Sequence, residues 1–232
     1  MSGSTRTPNA SGTQVAVWDI AQRVGHWVLV GSFATAWLLS EGERWRQWHV
    51  VAGLVALGVA VWRLAWGFWG SRHARFADFV RGPTAVAGYL RSLLGTPAHH
   101  LGHNPAGGWA IVLLLTLTVA TATTGWLGQN ELTPWAETLH EPLAQAWMLT
   151  VVVHVTGVLV SSWLHAENLL AAMWHGRKPA RTDVAPAENL DASTPSPTGR
   201  RLNLVGLLSL WGFVALSLWL GLVGLPRWLG LE

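Results

Sequence analysis

His140 and His154 stand 14 residues apart on one apolar stretch. On an α-helix that is about 21 Å of rise, with both side chains on nearly the same face. Imidazoles so spaced suit two stacked haems, each iron taking one axial ligand from this helix. Two further histidines, His26 and His49, lie near the ends of two earlier apolar segments, so four ligands are available for two irons. Their depths decide the pairing. His49 and His140 fall at the same end of their helices. His26 precedes Glu41, at that end of the first helix, by 15 residues or roughly 22 Å of rise, and His154 lies roughly 21 Å below His140. The sequence therefore predicts two bis-histidine pairs, His49 with His140 for an outer haem b and His26 with His154 for an inner one, supplied by facing helices of a bundle. A lone intramembrane histidine is ordinarily a hydrogen-bonded packing residue, but four at two matched depths argue for ligation. Zinc would need its ligands to converge on one point, and these pairs are separated by most of the hydrocarbon thickness. The chain has no cysteine, which excludes disulfides, thiolate catalysis, iron–sulfur clusters and covalent haem attachment.

Other residues fall beside the four histidines. Arg63 follows His49 by 14 residues, which puts it on the haem-facing side at the inner level. Two readings stand for it, a partner for a haem propionate and a snorkelling interfacial arginine. Arg44 and Arg46 are the corresponding cations for the outer haem. Gly53, one turn after His49, and Gly157, near His154, make room for a flat macrocycle or serve simple helix packing. Glu141, beside His140, is a candidate for charge coupling or an ordinary acid at a helix start. His165 is read as interfacial, with quinone or propionate contact as the alternative. His73, His99, His100, His103 and His175 are expected to be loop residues, most of them solvated.

The elements that must position these groups are membrane helices. Half of the 232 residues are hydrophobic and only 12% charged, against roughly 25% charged in soluble domains. Apolar runs near 24–40, 48–66, 109–128, 142–164 and 204–225 are long enough to cross about 30 Å of hydrocarbon, the first being the shortest. The expected fold is all-α and integral to the membrane: a four-helix haem-binding bundle at 15–178, after a disordered tail at 1–14, with a flexible linker at 179–203 and an additional transmembrane helix at 204–232. Segment 83–94 suits a short surface helix. Many of the 17 tryptophans, among them Trp45, Trp48, Trp66, Trp69, Trp109, Trp126, Trp163 and Trp228, fall at the ends of apolar runs, where indoles anchor in the headgroup layer. Twelve of the 15 basic residues lie in segments on one side, which predicts a cytoplasmic N-terminus and a periplasmic C-terminus. The basic pI near 10.5 therefore reports topology, and no nucleic-acid partner is expected. Glu41, Glu43, Glu131, Glu137, Glu141 and Glu232 make the opposite side acidic, a surface that would steer a basic periplasmic partner such as a small c-type cytochrome.

Four blocks, VWDIAQRVGHW (17–27), WRLAWGFWGSRHARFADFVRGP (62–83), YLRSLLGTPAHHLGHNPAGGW (89–109) and HVTGVLVSSWLHAENLLAAMWHGRKP (154–179), resemble the bacterial cytochrome b561 family, which includes the b-type cytochrome subunit of nickel–iron hydrogenases. The resemblance covers about 15–180. It implies a four-helix membrane domain with two b-type haems, axial ligands at His26, His49, His140 and His154, and electron passage between a quinone pool and a redox partner. The linker and the last helix depart from the minimal family pattern and suggest a docking element or subunit contact.

The resulting expectation is an inner-membrane di-haem cytochrome b passing electrons between quinone, bound at a haem edge, and a periplasmic c-type cytochrome or dehydrogenase subunit. Bis-histidine ligation leaves no open iron position, which favours outer-sphere transfer over oxygen binding. Three rivals differ from it: a superoxide:quinone oxidoreductase, disfavoured by the acidic outer surface; a membrane anchor of a hydrogenase or another dehydrogenase; and a colourless histidine-lined transporter, for which no inverted repeat is evident.

Overall fold

The computed structural model describes residues 14–95, 98–179 and 197–224. Most of the tail expected at 1–14 and of the linker expected at 179–203 lies outside them, as do Trp228 and Glu232. The described chain is mostly helical: α1 Ile20–Leu38, α2 Arg46–Trp69, α3 Phe76–Phe79, α4 Pro83–Ser92, α5 Pro105–Gln129, α6 Pro134–His165, α7 Leu169–His175 and α8 Pro197–Trp219, the last continued by a π-helical turn, Leu220–Gly224. Among the described residues four helical spans are long and apolar enough to cross a membrane: Glu43–Trp69, Pro105–Gln129, Pro134–His165 and Gly199–Val223. The shortest of the five expected spans, α1, is not among them. Gln22, Arg23 and His26 in its first two turns lower its hydropathy, although its 19 residues rise about 28 Å.

Helix starts carry their signals in the sequence. Asp19 caps α1 by accepting from Gln22 N at 2.7 Å. Asn104 caps α5 by accepting from Gly107 N at 2.7 Å, with Pro105 as the first helical residue, where the missing N–H costs nothing. Asn168 does the same for α7 through Ala171 N at 2.8 Å. The Asp19 carboxylate also accepts from Trp66 Nε1 at 3.2 Å and Ser71 Oγ at 2.5 Å. One side chain thus starts α1 and ties it to the far end of α2.

Helix α2 is central. It packs against α1, α5 and α8, while α5 and α6 form an antiparallel pair. The largest buried cluster joins Ala21 of α1, Val55, Val59, Trp62 and Trp66 of α2, Ala74, and Leu210 and Val214 of α8. Trp66 is only 7% exposed, so it is a core residue and not the interfacial anchor expected; the Asp19 carboxylate gives its N–H a buried partner. The approach of α8 is close enough that a Cβ on Gly58 would collide with Ser217, the small-residue packing common between membrane helices. Trp62 Nε1 donates to Ser209 Oγ at 3.0 Å across the same seam. At the other edge, α6 meets α1 through the rings of Trp147 and Phe33, 4.7 Å apart, and leaves much of its apolar surface exposed.

A two-stranded antiparallel sheet, absent from the sequence reading, closes one end. Strand β1 Gln14–Ala16 pairs with β2 Arg177–Pro179, Val15 opposite Lys178. Trp18 and Leu101 complete a small buried cluster with Val15 and Val17, and Val17 N and Trp18 N both donate to Gly176 O, at 2.9 and 3.2 Å.

Candidate functional site

Helices α2 and α6 bring His49 and His140 together, with ring centroids 6.0 Å apart and ring planes at 84°. A metal bound by one nitrogen of each imidazole, at about 2 Å per bond, would set the centroids roughly 6 Å apart. Both rings are held by their other nitrogen. His49 Nδ1 donates to Ala36 O of α1 at 2.8 Å, and His140 Nδ1 donates to Thr121 O of α5 at 2.9 Å. Such bonds fix the tautomer that leaves the Nε2 lone pair free to accept a metal and raise its basicity. Gly125, one turn beyond Thr121, is required there, because a Cβ would stand 2.7 Å from His140 Cε1.

The two rings line a cavity of about 450 Å³ that also touches Gly53, Arg46, Glu43, Glu137 and Glu141, within the roughly 300–1,000 Å³ of cofactor-sized sites. A Cβ on Gly53 would meet nothing within 4 Å, so the glycine leaves open space beside the rings. Arg46 is at the cavity mouth, its Nε donating to Gln129 Oε1 at 2.9 Å and its guanidinium 3.9 Å from Glu43. Arg44 lies instead over the Trp45 ring, 5.2 Å from its centroid.

At the opposite end of the bundle the described polar atoms are conspicuously unmatched. His26 Nδ1, Gln22 Oε1, Trp27 Nε1 and both terminal nitrogens of Arg63 are buried with no hydrogen-bond partner in the protein. The ring of His26 packs edge-on against Trp27 at 5.1 Å, and His154 is its electrostatic neighbour across the bundle. Arg63 is 7% exposed, with its guanidinium over Phe76 at 5.4 Å and Phe79 at 5.9 Å. Gly157 is on the exposed face of α6, where a Cβ would meet nothing within 4 Å.

Three of the five loop histidines, most of which were expected to be solvated, are largely buried. His103 lies between Trp18 and Phe79, with ring centroids 4.4 and 4.7 Å away, and its Nδ1 is buried without a partner. Burial first, then the nearby Arg63 and Lys178 cations, hold its pKa well below the ordinary histidine value. The side chains of His73 and His99 are only 12% and 23% exposed, whereas His175 is exposed as expected. His165 Nδ1 bonds Ser161 O at 2.9 Å and Nε2 contacts Ala98 O at 3.2 Å, and its ring meets that of His99 at 4.3 Å. It ties the end of α6 to the loop before α5. Nearby, Lys178 pairs with Glu167 at 3.5 Å. Burial lowers the Lys178 pKa from its ordinary 10.5, with Glu167 opposing that shift.

An apolar helical bundle with a pair of imidazoles set ring to ring and anchored through their Nδ1 atoms, over a cofactor-sized cavity, defines a membrane protein with a site that fits a metal-bearing cofactor. Residues 17–176 match the family model described as prokaryotic cytochrome b561. The chain belongs to that family, and is accordingly a membrane protein of electron transport that binds b-type haem. No curated protein and no solved structure matches it. The paired rings, their carbonyl anchors, the open flank at Gly53 and the unpartnered polar atoms around Arg63 all fit such a group.

Proposed function

We propose that this chain is a di-haem cytochrome b of the bacterial inner membrane, carrying electrons between a quinone pool and a periplasmic redox partner of the small c-type cytochrome kind. In this reading α1, α2, α5, α6 and α8 all span the bilayer, with the N-terminus cytoplasmic and the C-terminus periplasmic. Haem, when bound, supplies one-electron iron chemistry without an open coordination position. His49 and His140 hold the periplasmic haem, and His26 and His154 hold the cytoplasmic one. Ala36 O and Thr121 O orient the first pair of rings, and Arg46 and Arg63 supply positive charge beside the two sites. The single observation that carries the reading is the His49–His140 pair at 6.0 Å. Glu43, Glu137 and Glu141 around that cavity favour a cationic partner and disfavour an anionic substrate such as superoxide.

The test is a dithionite-reduced minus oxidised spectrum with a pyridine haemochrome count on the detergent-purified chain. About two b-type haems per chain are expected. His140→Ala and His154→Ala are each expected to remove one haem and spare the other. A folded, colourless protein, or one that keeps both haems in both variants, would overturn the assignment.

A further inference from the structure

Arg63 presents a problem that the protein does not solve alone. A guanidinium is charged at any pH of interest, and both terminal nitrogens of this one are buried without a partner. The acid close enough to influence it electrostatically is Asp19, but that carboxylate already accepts from Gln22 N, Trp66 Nε1 and Ser71 Oγ. Leaving a buried charge uncompensated costs several kcal/mol. The flanking Phe76 and Phe79 rings offset only a small part of that through cation–π attraction.

His103 has the matching problem from a different element. It immediately precedes the Asn104 cap of α5, and its Nδ1 is also buried and unpartnered. The two residues share the ring of Phe79, 5.9 Å from the guanidinium carbon and 4.7 Å from the imidazole centroid. Arg63 and His154 both lie within electrostatic reach of His103. A permanent cation on α2 and a neutral donor from the loop before α5 therefore converge beside the end of α6 that carries His154. Together they suit a carboxylate, for which the guanidinium offers paired N–H groups, joined to an apolar body that lies between helices.

We propose that Arg63 and His103 together grip a propionate of the haem held by His26 and His154, so that His103 is a cofactor-positioning residue of the inner site. The inference rests on the di-haem reading and adds to it the group that is held and the second residue that holds it. Removing a cation or a donor from a propionate leaves more negative charge beside the iron, which favours the ferric state and lowers the potential.

Redox potentiometry of the full-length protein, with haem counted in each sample, tests this. Arg63→Leu is expected to shift the one-electron equilibrium of one haem about tenfold toward the oxidised form, about 59 mV, and to leave the other haem unchanged. His103→Phe keeps the ring packing without the donor and is expected to move the same haem in the same direction by less. His103→Asn, whose amide can place an N–H near the position of Nδ1, is expected to restore the wild-type potential. Loss of a single haem from His103→Phe with both retained in His103→Asn also supports the proposal. Unchanged potentials in Arg63→Leu and His103→Phe, equal movement of both haems, or a His103→Asn variant that behaves like His103→Phe would overturn it. A wild-type chain with fewer than two haems would refute the di-haem reading instead.

Discussion

Replacing Gly125 by alanine probes the outer site through a single methyl group. The added carbon would stand 2.7 Å from His140 Cε1 and 2.8 Å from Nδ1, about 1 Å inside ordinary carbon contact distance. The ring cannot retreat while Nδ1 keeps its 2.9 Å bond to Thr121 O. Losing that bond costs about 0.5–1.5 kcal/mol, and turning the ring off its rotamer costs about as much. The sum, about 1–3 kcal/mol, corresponds to a roughly 5–150-fold weaker hold on haem at the His49–His140 pair. On the di-haem reading, transfer of haem to excess apomyoglobin, followed optically on the purified full-length chain, is expected to show two kinetic phases. In Gly125→Ala one phase is expected to accelerate by that factor, and the other to keep its wild-type rate. Wild-type rates for both phases would refute the argument that His140 must hold this one orientation to bind iron.

Other perturbations separate the fold from the site. Gly53→Leu meets no protein atom at its Cβ but fills the space beside the paired rings, so thermal unfolding of haem-free protein should not be lowered, while on the di-haem reading haem content is expected to fall from about two to about one. Asp19→Ala removes a helix cap and two further hydrogen bonds; a loss of about 3 kcal/mol in detergent unfolding is expected, with Asp19→Asn losing less. For Lys178, burial places the folded-state pKa below the unfolded 10.5, so the unfolded chain binds more protons between those two values. Stability should therefore rise with pH as it climbs from the folded-state pKa toward 10.5, and this rise should be absent in Lys178→Gln, as measured by thermal unfolding across the alkaline range below that value.

The reach of sequence reasoning follows from what each residue depends on. The level shared by His49 and His140 was legible because rise per residue along a helix is fixed, so spacing within α6 and between helix ends converts directly into depth. The short helix predicted at 83–94 forms as α4 over Pro83–Ser92, since Gly82 and Pro83 mark its start locally. The burial of His103 was not legible because it depends on Trp18 and Phe79, which are distant in sequence and reach it only in the folded chain. A signal was present nonetheless: the run His103-Asn104-Pro105 fixes the histidine against a capped helix start. Trp66 was misread for the same kind of reason, since its partner Asp19 lies 47 residues away. The docking of α8 on α2 could not be inferred from hydropathy, because a lipid-facing and a protein-facing apolar helix look alike when lipid and core are equally apolar.

The β1–β2 clasp has a consequence for the order of assembly. It pairs Val15 with Lys178, and Trp18, just beyond β1, walls one side of His103. A chain that emerges N-terminus first must hold its opening strand in waiting until α6 and α7 have been made, because closing so long a loop has no return before its partner exists. On the di-haem reading, the inner site is thus closed only after α6 and α7 are made, like a buckle drawn across a bag already packed. In that reading its flank is open to a cofactor until the strands pair, and the same contacts then retard departure, so that loading and retention are expected to have different structural determinants within one short stretch of backbone.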